Sequence, residues 1–220
     1  VFSAFGYHDY AYFGEASVYG QDLTCEVLQN ALERVPDEDV FPEAPSQITV
    51  ASSPAEEDVY IKRPKKNSGL VAKLFLGETE TFEDLLRKPR HKIIVRYHGC
   101  IVKRNRITGI VLDRYSKTLE ARLEEGADGF NKRLCMDAIV SAVEYLHSLG
   151  YAHNDLNPNN VMIAEDDSPI IIDFDSCKRF GEALISGGTW GWIDLDEDYE
   201  TSQRRHDEFA LTKMWNWLEE

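Results

Sequence analysis

Apolar residues are distributed along this chain in two patterns, and each pattern marks a kind of element. Between Gly69 and Leu86, the residues Leu70, Leu74, Phe75, Phe82 and Leu85 follow one another at helical intervals and fall on one face. Met136 to His147 repeats the same spacing and is stopped by Gly150, so it also reads as an amphipathic helix. Elsewhere the apolar residues come in short runs bounded by turn formers. Val59–Lys62, Ile93–Cys100, Ile107–Leu112, Val161–Ala164 and Ile170–Ile172 read as strands. The basic turn Lys103-Arg104-Asn105-Arg106 links the second to the third, and Glu165–Pro169 folds the last two into a hairpin. Nearer the N-terminus, Phe2–Tyr19 is rich in aromatics and glycine. Asp22–Val35 then reads as a helix with Leu28, Ala31, Leu32 and Val35 inward, and Pro36–Pro54 as a proline- and acid-rich connector.

The chemistry concentrates between the second helix and the hairpin. His153-Asn154-Asp155-Leu156-Asn157-Pro158-Asn159-Asn160 is followed, after both strands of the hairpin, by Asp173-Phe174-Asp175. Moving a γ-phosphoryl group needs a carboxylate to orient the attacking hydroxyl and oxygen ligands to hold Mg²⁺ across the nucleotide phosphates. Asp155 has the position of the first, Asn160 and Asp173 of the second. The competing reading is a pair of Asn- and Asp-rich β-turns around a buried strand, since these side chains also close turns on their own backbone.

The helix before this loop and the hairpin after it supply the context that the motif needs. With them the chain resembles the eukaryotic protein kinase superfamily, whose catalytic loop reads H-R-D-x-x-x-x-N and whose metal motif reads D-F-G. The phrases IVRYHGC, ITGIVLDR, LHSLGYAHNDLNP and RHDEFAL look most like compact kinase-like proteins of filamentous fungi. The resemblance implies an α+β, two-lobed fold with a small β-rich N-lobe at about 48–115 and a truncated, mainly helical C-lobe at about 116–220. It leaves residues 1–47 as an N-terminal segment of unclear role.

The same resemblance assigns further residues. Val59-Tyr60-Ile61-Lys62 has the form of the strand that carries the phosphate-contacting lysine, so Lys62 would meet the α- and β-phosphates of ATP. Its partner should be a glutamate on the following helix. Glu78 is chosen, with Glu80 second, because Phe82 and Leu85 follow it at plus four and plus seven. Leu112 falls at the gatekeeper position, with Asp113, Arg114 and Tyr115 as the hinge whose backbone would pair with adenine. Gly187-Gly188-Thr189-Trp190-Gly191-Trp192 resembles the end of an activation segment, and Asp207 the helix acid that accepts hydrogen bonds from catalytic-loop backbone.

Several positions depart from the family pattern. No glycine occurs from Ile48 to Val59, where a glycine-rich loop should cover the phosphates; Ser52 and Ser53 stand at an expected turn, and Gly14–Gly20 only faintly resembles such a loop. Asn154 replaces the arginine of H-R-D, so control by an activation-loop phosphate is not expected. Asn157 stands where serine/threonine kinases place a lysine, Asp175 replaces the glycine of D-F-G, and no A-P-E glutamate is evident between Ile193 and Glu200.

Composition narrows the partners. With 24 Lys and Arg against 39 Asp and Glu, the formal charge is −15, which argues against nucleic acid and anionic membrane. Four cysteines, Cys25, Cys100, Cys135 and Cys177, lie far apart without metal-ligand spacing and read as reduced thiols. No run approaches a membrane span and no signal peptide is recognisable, so the expected location is intracellular, cytoplasmic or nuclear. The expected activity is ATP- and Mg²⁺-dependent phosphotransfer to Ser or Thr hydroxyls of a protein or peptide substrate. A pseudokinase that only binds nucleotide or partners, and a small-molecule kinase of the aminoglycoside-phosphotransferase sort, remain as alternatives.

Overall fold

The computed structural model describes residues 2–7 (backbone only), 10–14, 24–52, 59–64, 69–126, 128–185, 187–196 and 199–219. It divides into two compact units, one of residues Val1–Thr79 and His98–Leu112, the other of Glu80–Tyr97 and Asp113–Glu220. Residues 15–20 and Ser53, considered above as phosphate covers, lie outside the described residues.

In the first unit, β1 (Phe2–Tyr7), β2 (Tyr10–Gly14) and β3 (Leu32–Arg34) form an antiparallel sheet in that order. Helix α1 (Cys25–Ala31), capped by the Thr24 hydroxyl on the Val27 N–H at 3.2 Å, precedes β3. The helix expected through Val35 therefore ends four residues early. No residue of α1 is buried, so the apolar stripe had no core to hold it, whereas Leu32–Arg34 gain a ladder with Gly14, Phe13 and Tyr12. Part of the stretch read as a connector, Val40 to Pro42, is buried. The single turn α2 (Asp37–Val40) brings Val40 and Phe41 into a core with Ala11 and Val35. Beyond it, Ile107 donates to the Pro42 carbonyl at 2.9 Å and Ala44 to that of Asn105 at 3.0 Å.

Strands β4 (Val59–Lys62), β5 (Tyr97–Lys103) and β6 (Arg106–Asp113) form a second sheet in the order β4-β6-β5, and helix α3 (Gly69–Leu86) follows β4 with the limits its sequence predicts. Arg104 and Asn105 both take the left-handed conformation that a two-residue hairpin needs. Gly99, at φ +118°, lies so close to residues 49–51 that a Cβ would come within 2.8 Å of the Thr49 carbonyl oxygen and the Ala51 nitrogen.

The second unit holds β7 (Lys117–Thr118), α4 (Leu119–Glu124), α5 (Lys132–Ser148), β8 (Tyr151–Ala152), β9 (Val161–Ile163), β10 (Pro169–Ile171), β11 (Lys178–Arg179) and α6 (Arg204–Glu219). The expected hairpin is β9 with β10, and β7 extends it on the β9 side. Ile93–Val95, expected as the start of a strand, instead bridge to β10: Ile171 donates to Ile93 at 2.7 Å and Val95 to Ile171 at 3.0 Å. Ile139 and Leu146 of α5 and Met214 and Leu218 of α6 are fully buried and form part of the core beneath the loop between β8 and β9. Among the described residues no helix is long and apolar enough to cross a membrane.

Candidate active site

The loop from His153 to Asn160 leaves β8 and is hung from a helix far along the chain. Asp207, in the first turn of α6 and fully buried, accepts the His153 N–H at 2.9 Å and the Asn154 N–H at 2.8 Å. His147 Nε2 also bonds this carboxylate at 2.8 Å. A buried carboxylate is tolerated only where its oxygens are filled in this way. The two backbone bonds are those the sequence resemblance implied for Asp207.

Asn154 appears in the sequence as a missing arginine, but in the structure it joins four parts of the chain. Its Nδ2 lies 3.0 Å from the Ala152 carbonyl, 2.9 Å from that of Ser176 and 3.0 Å from the Ser202 hydroxyl, while its Oδ1 meets His206 Nδ1 at 3.0 Å. Since Oδ1 only accepts, His206 carries its proton on Nδ1. Asn154 holds φ +63°, a left-handed backbone that asparagine accepts more readily than arginine does.

The carboxylate of Asp155 is surrounded by donors. Oδ1 takes the Thr189 N–H at 2.7 Å and Asn157 Nδ2 at 3.3 Å, and Oδ2 takes Asn160 Nδ2 at 3.1 Å. Asn157 also reaches the Thr189 hydroxyl at 3.3 Å and, through its Oδ1, caps Asn159 at 3.0 Å. Gly188, at φ +73°, makes the approach of this segment possible. A Cβ there would stand 2.7 Å from Ile193 Cγ2 and 3.0 Å from the Asn154 carbonyl oxygen.

Asn160 and Asp173 are brought to the same end of the hairpin. The Ile172 N–H donates to the Asn160 carbonyl at 3.0 Å, and His153 Nε2 lies 2.9 Å from the Ile172 carbonyl oxygen, so both polar groups of the residue before Asp173 are clasped by the loop. The His153 proton therefore sits on Nε2. Asp173 itself has φ +61°, and such a conformation in a residue with a side chain persists only where its surroundings enforce it. Phe174, fully buried, packs 5.2 Å from His153 and 5.1 Å from Phe82 at the end of α3, ring centre to ring centre. Asp175 is not among the residues with positive φ, so the loss of the motif's glycine costs no backbone strain.

Within the first unit, Lys62 Nζ meets Glu78 Oε1 at 2.7 Å, with Glu78 fully buried. Glu80, the second choice, is exposed. Leu112 is buried at 4 % exposure, and the division between the units falls immediately after it. In the second unit, Asp113 donates its N–H to the Arg96 carbonyl at 3.1 Å. Burial, and then the Asp113 carboxylate, raise the Tyr115 phenol above its ordinary range.

Sequence reasoning missed Ser202 and His206, and read Asn154 and Asn157 only as replacements. A signal was present for His206, which stands directly before Asp207 in the quoted phrase RHDEFAL. Nothing local marked Ser202.

A mixed α and β fold, with an acid-amide loop ahead of a hairpin that ends in Asp-Phe, defines a kinase-like domain. The protein kinase domain family matches residues 55–187, more than half of the chain. The chain belongs to that family. Among curated proteins it is 32% identical over 111 residues to the maternal embryonic leucine zipper kinase of Xenopus tropicalis, covering 47% of this chain and 16% of that one. It is 27% identical over 109 residues to the dual serine/threonine and tyrosine protein kinase of Danio rerio, covering 47% and 12%. The match thus spans about a sixth or less of each of these relatives.

Proposed function

We propose that this chain is an ATP- and Mg²⁺-dependent phosphotransferase that transfers the γ-phosphoryl group to serine or threonine hydroxyls of a protein or peptide. The observation that carries the reading is Asp155, whose carboxylate is fixed by Thr189, Asn157 and Asn160 without any cation to neutralise it among these contacts. Asp155 accepts the proton side of the attacking hydroxyl and points its oxygen toward the phosphoryl group. We place two lobes within residues 48–220, with 1–47 an added N-terminal piece.

The donor set fits a hard cation. Asn160 spends its amide hydrogens on the Asp155 carbonyl at 2.8 Å and on Oδ2, which leaves its carbonyl-type Oδ1 as the atom able to ligate, and Asp173 supplies a carboxylate. Asn160 and Asp173 would hold Mg²⁺, which supplies neutralisation of phosphate charge when bound. Lys62, oriented by Glu78, would hold the α- and β-phosphates. Leu112 would bound the adenine pocket, and Asp113 and Tyr115 would contribute hinge backbone.

The pseudokinase reading is favoured by one observation, the absence of glycine from Ile48 to Val59. Incubation of the purified chain with labelled ATP, Mg²⁺ and a serine- and threonine-containing peptide library separates the two. Labelled phosphoserine or phosphothreonine is expected, and nucleotide binding without any transfer would establish the pseudokinase.

A further inference from the structure

The segment after α3 is unusual for this chain. Five of its 24 Lys and Arg residues, Arg87, Lys88, Arg90, Lys92 and Arg96, fall within ten positions, and no acid lies between Leu85 and Tyr97 although acids outnumber bases 39 to 24 overall. Placement at a helix C-terminus accounts for Arg87 and Lys88, which complement the negative end of the dipole, but that effect fades within a turn and does not reach Arg96.

The same segment lines a cavity of about 320 Å³ that lies wholly within the second unit. Leu85 and Leu86 of α3 and Tyr145 of α5 contribute its accessible apolar surface, with the buried Phe82, Ile94 and Tyr97 behind them. The polar atoms of the two tyrosines are already used: Tyr97 donates to Glu83 Oε1 at 2.7 Å and Tyr145 to the Pro89 carbonyl. His91 stacks on Tyr145 at 5.3 Å, and burial, then Lys92, hold its imidazole below its ordinary pKa. The apolar interior therefore has no built seat for a compact polar head group.

The cations are at the edge. Lys88, Arg90 and Arg96 are exposed and all line the cavity. Arg90 reaches the Asp113 carboxylate only at 3.9 Å, and Lys88 and Arg96 have no ion-pair partner among the described residues. An apolar pocket with a basic rim, on a protein whose net charge is −15, is complementary to a ligand that combines apolar bulk with flanking negative charge.

We propose that this cavity is a docking site for a short acidic segment of a partner protein, which seats an aromatic or aliphatic side chain against Leu85, Leu86 and Tyr145 and sets its neighbouring carboxylates beside Lys88 and Arg96. A peptide fits better than a small anion because the cations sit on separate residues along the rim. The proposal rests on this cavity alone and stands whether or not the chain transfers phosphate.

The test is selection from a randomised peptide library on the whole chain, followed by fluorescence polarisation of the selected peptides. Enrichment of sequences with an apolar residue between Asp or Glu is expected, with affinity that weakens about tenfold or more in the double variant Lys88→Glu, Arg96→Glu and falls as salt is raised. Both residues are exposed, so the variant should fold, and its circular dichroism should match the parent. Absence of enrichment, selection of neutral or basic peptides, or acidic peptides that bind the variant as well as the parent would overturn the proposal. A concentration-dependent dimer in sedimentation, abolished by the same variant, would assign the cavity to a second copy and overturn it equally.

Discussion

Asp207 holds His153 and Asn154 by their backbone N–H groups, one on each carboxylate oxygen, at 2.9 and 2.8 Å. Support of this kind predicts a large effect on folding from a residue that touches no reacting atom. Asp207→Ala leaves two buried N–H groups and His147 without their acceptor, and should cost about 3 kcal/mol or more in urea denaturation. Asp155→Ala, at a partly exposed carboxylate, should cost far less by the same measurement.

Asn154 leads to a second expectation, about regulation. Its side chain joins the start of the segment after Asp173, through Ser176, to Ser202 and His206 near its end by hydrogen bonds alone. Phosphatase treatment should leave phosphotransfer unchanged, and Thr189→Val should lose only its weak bond to Asn157. Asn154→Ala removes the whole network and puts alanine at φ +63°, so it should destabilise by about 2–4 kcal/mol in thermal or urea unfolding. Loss of activity on dephosphorylation would contradict this reading.

Gly188→Ala tests the approach of that segment to the loop. The added methyl group would stand 2.7 Å from Ile193, on a backbone with φ +73°, and must push Thr189 away from Asp155. Phosphotransfer should fall about tenfold or more with little change in nucleotide binding, read as kcat against the dissociation constant for ATP.

Acid stability should depend on Asp37. Burial raises the pKa of its carboxyl, but Arg104 and then Arg34 outweigh that and bring it below the ordinary 3.8. A carboxyl whose folded pKa is depressed stabilises the fold above its unfolded pKa and loses that contribution as pH falls through the folded value. The chain should therefore lose stability below about pH 3.8 more steeply than Asp37→Asn does, followed by circular dichroism across an acid titration. Coincident curves would show that Arg104 and Arg34 give Asp37 no net stabilisation.

Much of this was legible locally. The helix Gly69–Leu86 and the hairpin β9-β10 follow from apolar spacing and turn residues a few positions apart, and Glu78 from its apolar neighbours. Elements decided by distant pairing were not legible. Leu32–Arg34 left the helical pattern because β2 offered a ladder, and Ile93–Val95 left their strand because Ile171 did. The Asn154 network joins residues up to 52 positions apart, so no spacing rule could reveal it.

The most direct test of the functional proposal is a paired measurement on Asp155→Asn, nucleotide binding by calorimetry and phosphotransfer from Mg²⁺-ATP. The substitution keeps the shape of the side chain and removes the carboxylate that Thr189, Asn157 and Asn160 hold in place. Binding should match the parent while phosphotransfer falls by about 10²–10⁴-fold. Equal phosphotransfer in parent and variant would contradict the assignment of Asp155, and with it the phosphotransferase reading of this site.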